Sequence, residues 1–127
     1  MAGIGILVCV TGQKHCEKLI REGAALAKQR EGRVSVVHVA AQGDVFLGNP
    51  KEGEALEYLF RAAAAQGAEM AVLRASDVLD ALTDFARERQ VDCVVLGVGK
   101  GRTGSEFADQ LRARLPGVEV RSIYTQD

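Results

Sequence analysis

Residues 4–10, Ile-Gly-Ile-Leu-Val-Cys-Val, form a near-continuous apolar run rich in β-branched side chains. A strand buried on both faces reads this way. Over residues 15–30 the spacing becomes helical, with Leu19, Ile20, Gly23, Ala24, Leu26 and Ala27 on one side and Lys18, Arg21, Glu22 and Lys28 elsewhere. Gly32 stands just past this helix, where a left-handed cap is expected. Val34, Val36, Val37 and Val39 predict the second strand. Residues 40–51 have no period and read as a long connection. Glu52 to Gln66 predicts a second helix with Leu56, Leu59, Phe60 and Ala63 inward, ended by Gly67, and Ala68 to Leu73 a third strand. Ser76 is the expected N-cap of a third helix that runs to Gln90 on Val78, Leu82, Phe85 and Ala86, with Asp77 favourable at the positive end of its dipole. Val91 to Leu96 predicts the fourth strand. A helix from about Ser105 to Leu115 follows, stopped by Pro116-Gly117, and Val118 to Tyr124 predicts the last strand.

Five strands alternating with four helices specify a fold class. Strands joined by helix-length crossovers run parallel, and right-handed crossovers place helices on both faces. The expectation is an α/β protein, a three-layer α/β/α sandwich with a five-stranded, mostly parallel sheet. At 127 residues the chain reads as one domain over 1–127.

Composition narrows the function classes. Apolar residues make up 47% and charged residues 26%, ordinary for a globular protein. Sixteen Lys plus Arg against 17 Asp plus Glu leave a net charge of −1, which argues against a nucleic-acid or membrane-surface footprint. No uncharged apolar run approaches the roughly 18 residues of a membrane span. Met1–Val10 has no Lys or Arg ahead of its apolar run, so a secretory signal is not expected. Three cysteines, Cys9, Cys16 and Cys93, suit a reducing cytoplasm.

Ligands of an open parallel sheet bind beyond the carboxyl ends of its strands, near the reversal of strand order. The connection with the most chemistry there is Gly97-Val98-Gly99-Lys100-Gly101-Arg102-Thr103-Gly104-Ser105, in which Gly99, Gly101 and Gly104 match Gly-x-Gly-x-x-Gly. Glycines let backbone approach phosphate oxygens, and the amides and dipole of the following helix favour an anion. Lys100 and Arg102 add charge and Ser105 a hydroxyl donor. The alternative is a plain surface turn in which Gly97 serves only a tight strand exit. The dinucleotide fingerprint does not fit, because it belongs to the first strand-helix turn, here Thr11-Gly12-Gln13-Lys14.

Metal and catalytic signatures are weak. His15, Cys16 and His38 match no ligand spacing. Cys9 and Cys93 fall mid-strand as small core hydrophobes, His38 reads as a satisfied polar residue, and Cys16 reads as a plain helix-surface residue ahead of a reactive thiol activated by the helix N-terminus. No nucleophile elbow, P-loop or His/carboxylate pair is present, so no enzyme is expected. Asp77, Asp80 and Asp84 read as a solvated helix face balanced by Arg87 and Arg89, and Phe46-Leu47 either as an exposed contact pair or as a pair folded over the core.

The run Ile6-Leu7-Val8-Cys9-Val10-Thr11-Gly12 into Cys16-Glu17-Lys18-Leu19-Ile20, and the run Ser76-Asp77-Val78-Leu79-Asp80-Ala81-Leu82 through Ala86-Arg87-Glu88-Arg89-Gln90 to Gly97, resemble the universal stress protein family. That family includes a domain of potassium-sensing histidine kinases. The resemblance spans nearly all of the chain and is weakest over residues 40–68. It implies the adenine nucleotide alpha hydrolase-like sheet order 3-2-1-4-5 and a cytoplasmic, dimerising module. One branch of the family binds ATP or another adenine nucleotide, with no metal beyond an accompanying Mg ion.

The nucleotide-binding branch is similar to Gly-x-x-Gly, a spacer, then Gly-Ser/Thr opening the last helix. Gly97 and Gly104-Ser105 match it, Gly101 matches the second glycine with one residue extra, and the spacer from Gly101 to Gly104 is much shorter. Thr11, Gly12 and Gln13 stand where nucleotide binders carry an Asp, and Val39 resembles the strand end whose backbone meets adenine.

Two readings therefore stand side by side. One is a regulatory module that binds an adenine nucleotide or other phosphate-bearing small molecule through Gly97–Ser105. The other is a dimeric interaction module without nucleotide, partnering a transporter or sensor protein, with Val118, Val120 and Ile123 of the last strand at the two-fold edge. Weak nucleotide hydrolysis is the third and least supported.

Overall fold

The computed structural model describes residues 4–10, 16–41, 50–98 and 102–124. Its elements are β1 (Gly5–Val10), α1 (Cys16–Gln29), β2 (Arg33–Ala41), α2 (Pro50–Ala65), β3 (Glu69–Ala75), α3 (Val78–Arg89), β4 (Cys93–Val98), α4 (Arg102–Arg114) and β5 (Glu119–Tyr124). The five strands form one sheet in the order β3-β2-β1-β4-β5, and every neighbouring pair is parallel. The expected α/β/α class and strand order are therefore observed.

Strand side chains alternate between two cores. Ile6, Val8 and Val10 of β1 and Val95 of β4 face one side, where Leu19, Ile20, Leu26 and Ala27 of α1 and Leu59 and Ala63 of α2 cover them. Leu7, Val37, Val94 and Leu96 face the other, beneath Leu82 and Ala86 of α3, Ala108 and Leu111 of α4, and Leu115 just after it. Two-sided burial is why β1 and β4 read as unbroken apolar runs.

Glycines set how closely the layers meet. A Cβ on Gly23 would fall 2.2 Å from Val8 Cγ2, so α1 lies against β1 only because residue 23 has no side chain. The expected left-handed cap at Gly32 is corrected: the positive φ, 54°, belongs to Glu31. Gly32 is required for space, since its Cβ would stand 2.2 Å from the Ile4 carbonyl oxygen.

Other local expectations also shift. Asp77, rather than Ser76, caps α3, its carboxylate accepting from the Asp80 amide at 3.0 Å. Phe60 is 47% exposed rather than inward, because it lies about 100° round the helix from Leu59. Asp80 pairs with Arg114 of α4. Arg87 instead donates to the Arg114 carbonyl, and Arg89 pairs with Glu69. Phe46-Leu47 lies outside the described residues.

Candidate functional site

Chain order reverses between β1 and β4, which lie side by side in register from Ile6↔Cys93 to Cys9↔Leu96. From β2 and β3 the sheet grows one way and from β5 the other. The connections leaving β1 and β4 at their carboxyl ends thus flank the crevice where this class of sheet holds its ligands. They are residues 11–15 and 99–101, the two places where the sequence concentrated candidate chemistry.

Each candidate can be located. Gly97 belongs to β4 and pairs with Ile123 of β5, so the strand runs one residue beyond it, to Val98. Gly99, Lys100 and Gly101 lie outside the described residues, as do Thr11, Gly12 and Gln13. Arg102, Gly104 and Ser105 fall in the first turn of α4, which begins three residues before the expected Ser105. The connection from β4 to α4 is therefore only three residues long. Within α4 the backbone amides of residues 102–104 are ones that an α-helix leaves without intrahelical acceptors, and they stand at the positive end of its dipole. Val39 lies in β2, pairs with Leu73 of β3 and packs partly buried against the α3/α4 core.

His38, next to Val39, is tied down. Its Nδ1 donates to the Val10 carbonyl at 3.0 Å, bracing the last residue of β1 from the neighbouring strand. The expectation of a satisfied polar residue holds. Cys9 stands one residue earlier, and burial pushes its thiol up to about 12. Burial, then the nearby Glu119 carboxylate, also raises the Cys93 thiol. Both are protonated near neutrality, as core hydrophobes should be. Among the described residues no group of three or more His, Cys, Asp or Glu is arranged to hold a metal ion. Nor, among them, is any helix long and apolar enough to cross a membrane.

Of the three candidate interface residues, Val120 and Ile123 lie in β5 and Val118 just before it. Val120 is buried and Val118 partly buried against the α3/α4 core, while Ile123 packs on the opposite core. Outward, β5 presents backbone. The Glu119 amide is taken by the Asp92 carbonyl, so the backbone groups of Val120, next along, face away from β4. There Arg112 Nη2 already donates to the Val120 carbonyl at 3.1 Å.

The model of the universal stress protein family matches residues 5–109. The chain belongs to the universal stress protein family. The sensor protein KdpD of Mycobacterium tuberculosis is 32% identical over 107 residues, 83% of this chain but only 12% of the sensor. A universal stress protein structure from Archaeoglobus fulgidus superposes with a TM-score of 0.74 at 26% identity, covering 97% of this chain and 95% of that one. The complex of the Archaeoglobus fulgidus universal stress protein with dAMP gives 0.70 at 25% identity, covering 97% and 99%.

Sequence reasoning missed Asp92. Its carboxylate accepts from the Gly5 amide at 2.8 Å and its own amide donates to the Gly5 carbonyl at 2.8 Å, so one residue locks the starts of β1 and β4. An isolated Asp between Val91 and Cys93 gives no periodic signal. The cations at that same end of the sheet were missed too, because they are scattered along the chain at 21, 28, 33 and 89.

Proposed function

We propose that this universal stress protein is a regulatory, non-enzymatic module that binds an adenine nucleotide, or another phosphate-bearing small molecule, beyond the carboxyl ends of β1 and β4. The observation that carries the reading is the start of α4 at Arg102, across a three-residue connection from β4, beside the strand-order reversal. The helix contributes the amides of residues 102–104, which compensates for the short glycine segment. Gly97, Gly99, Lys100, Gly101, Arg102, Gly104 and Ser105 form the phosphate side of the site. Thr11, Gly12, Gln13 and the Val39 backbone form the nucleoside side. The dAMP complex of a relative with the same fold supports an adenine ligand. Mg would accompany a triphosphate, and the working compartment is the cytoplasm.

Isothermal titration with ATP, AMP and a cyclic dinucleotide tests this. Saturable heat with at least one, lost in Gly101→Val, is expected. No heat with any at millimolar ligand sinks the reading, and phosphate release that vanishes in Gly101→Val would make the module a hydrolase instead.

A second reading is favoured by the KdpD relationship: a dimeric interaction module that partners a sensor or transporter. Two copies would pair along β5, with Val118, Val120 and Ile123 stiffening the strand from inside, and would displace Arg112 from the Val120 carbonyl. Light scattering that returns a monomer mass at micromolar concentration counts against it, whereas a dimer strengthened by Arg112→Ala supports it.

A further inference from the structure

A well-formed cleft lies at the opposite end of the sheet. It has a volume of about 610 Å³ and runs beneath the starts of β1, β2 and β3, bounded by the last turns of α1 and α3 and by Gln66-Gly67 after α2. That volume is in the range of small-molecule sites. With strands of about 3.3 Å rise per residue, it lies a full strand length, roughly 20 Å, from the carboxyl end of β4.

Four cations line the cleft, Arg21, Lys28, Arg33 and Arg89, against one carboxylate, Glu69. A local excess of three positive charges on a chain of net charge −1 calls for an explanation. Lys28 and Arg89 sit in the last turns of their helices, where a cation complements the dipole. Arg21 and Arg33 have no such role, since one is mid-helix and the other begins β2. The carbonyls that end the helices are moreover already occupied. Those of Leu26, Ala27 and Lys28 accept from residues 30–32, and those of Ala63 and Ala64 from residues 66–68.

The cations also converge. Arg21, Ala24, Ala25 and Lys28 follow one another at helical spacing, so the two charges of α1 flank a floor of alanines on one face. Arg89 is held in place, its guanidinium 5.0 Å over the Phe85 ring and 3.3 Å from Glu69. Among the described residues, Arg21, Lys28 and Arg33 form no side-chain ion pair. The lining has no aromatic side chain on which a base could stack.

We propose that this cleft binds a small, non-aromatic molecule bearing two or more phosphate groups, held by Arg21, Lys28 and Arg33 with Arg89 as a fourth, partly neutralised contact. Two phosphates carry roughly −3 to −4 near neutral pH, which matches the local excess. Guanidinium forks bind their oxygens in pairs. The site is independent of the nucleotide reading.

Amide NMR of the full chain, titrated with sodium pyrophosphate and in parallel with orthophosphate at matched ionic strength, tests it. Gly5, Gly32 and Gly67 report the cleft, and residues 99–104 the glycine segment. Saturable shifts at the three cleft glycines are expected, with pyrophosphate at least about tenfold tighter because several cations engage it at once. The Arg21→Gln/Arg33→Gln double variant should weaken binding by about tenfold or more. Glu69→Gln, which frees Arg89, should strengthen it severalfold, and Arg61→Gln, whose partner is Glu57 outside the cleft, should change nothing. Shifts confined to residues 99–104 would overturn the cleft site and leave the nucleotide reading standing. Equal affinity for the two anions, or an unaffected double variant, would also overturn it.

Discussion

On one face of the sheet α1 lies so close to β1 that Gly23 has no room for a Cβ. On the other face α3 and α4 keep an apolar core of similar kind but are girdled by arginines. Arg114 reaches Asp80, Arg87 the Arg114 carbonyl, and Arg112 the Val120 carbonyl. The first face depends on shape, the second on burial plus a polar rim. The difference matters for function, because α4 carries the amides offered to a ligand at one end while its far end is tied to α3 and β5.

Large-to-small core changes should have the greatest effect and should separate the faces. Leu59 is 1% and Leu111 0% exposed, and each truncation to Ala should cost about 2–5 kcal/mol. Ala108 in α4 and Leu115 just after it remain to hold that helix, whereas among the described residues α2 keeps only Ala63 as a fully buried anchor. Urea melts should therefore stay two-state in Leu111→Ala. In Leu59→Ala, hydrogen exchange of α2 should accelerate ahead of global unfolding. Equal exchange behaviour in the two variants would remove the asymmetry.

Gly23→Ala comes next. Its methyl must displace Val8 or lift α1, at about 1–3 kcal/mol, seen as a lower denaturation midpoint. Pairing it with Val8→Ala should recover part of the loss, since the clash is with Val8 Cγ2. Failure of that rescue would mean that the face is not set by close approach.

The sheet and its two cores were legible because burial writes itself as periodicity: Ile6-Leu7-Val8 and Val94-Val95-Leu96 are apolar without interruption only if both faces are covered. What escaped was set by contacts distant in sequence. Nothing local to Gly32 reveals the Ile4 carbonyl beside it, and nothing local to Asp80 reveals Arg114. Phe60 was misplaced because a residue 100° from the buried stripe still looks periodic in a short window. For the candidate site, Gly97 to Ser105 was visible as a glycine cluster. The division between strand, three-residue connection and helix was not, because glycine satisfies any of the three states.

Each face also carries one strand thiol, Cys9 against the α3/α4 core and Cys93 against the other. Cys9 is pushed from 9.0 to about 12 by burial. A raised folded-state value means that the native protein holds its proton longer than the unfolded chain. The stabilising contribution is whole below pH 9 and is lost as pH rises towards 12. The slope should be about 1.4 kcal/mol per pH unit over that window and should flatten in Cys9→Ala, measured by urea midpoints against pH. An unchanged slope would show that Cys9 ionises freely in the folded state.

The smallest effects belong to the polar rim of the α3/α4 face. Asp77→Ala removes the α3 cap and should cost about 1 kcal/mol, with Ser76→Ala nearly silent. The Asp80–Arg114 pair should be weaker still. Both side chains are more than 40% exposed, at 58% and 42%, so solvent and salt screen the attraction. In a double-mutant cycle on Asp80→Ala and Arg114→Ala, the coupling should fall below the cost of Asp77→Ala and vanish in high salt. Arg114→Ala leaves intact the bond from Arg87, because that bond ends on the Arg114 backbone carbonyl. A coupling that persists in high salt would mean that the rim, rather than burial beneath it, fixes the angle at which α4 meets the sheet. In that case the direction in which its first-turn amides point would depend on an ion pair at the helix's opposite end.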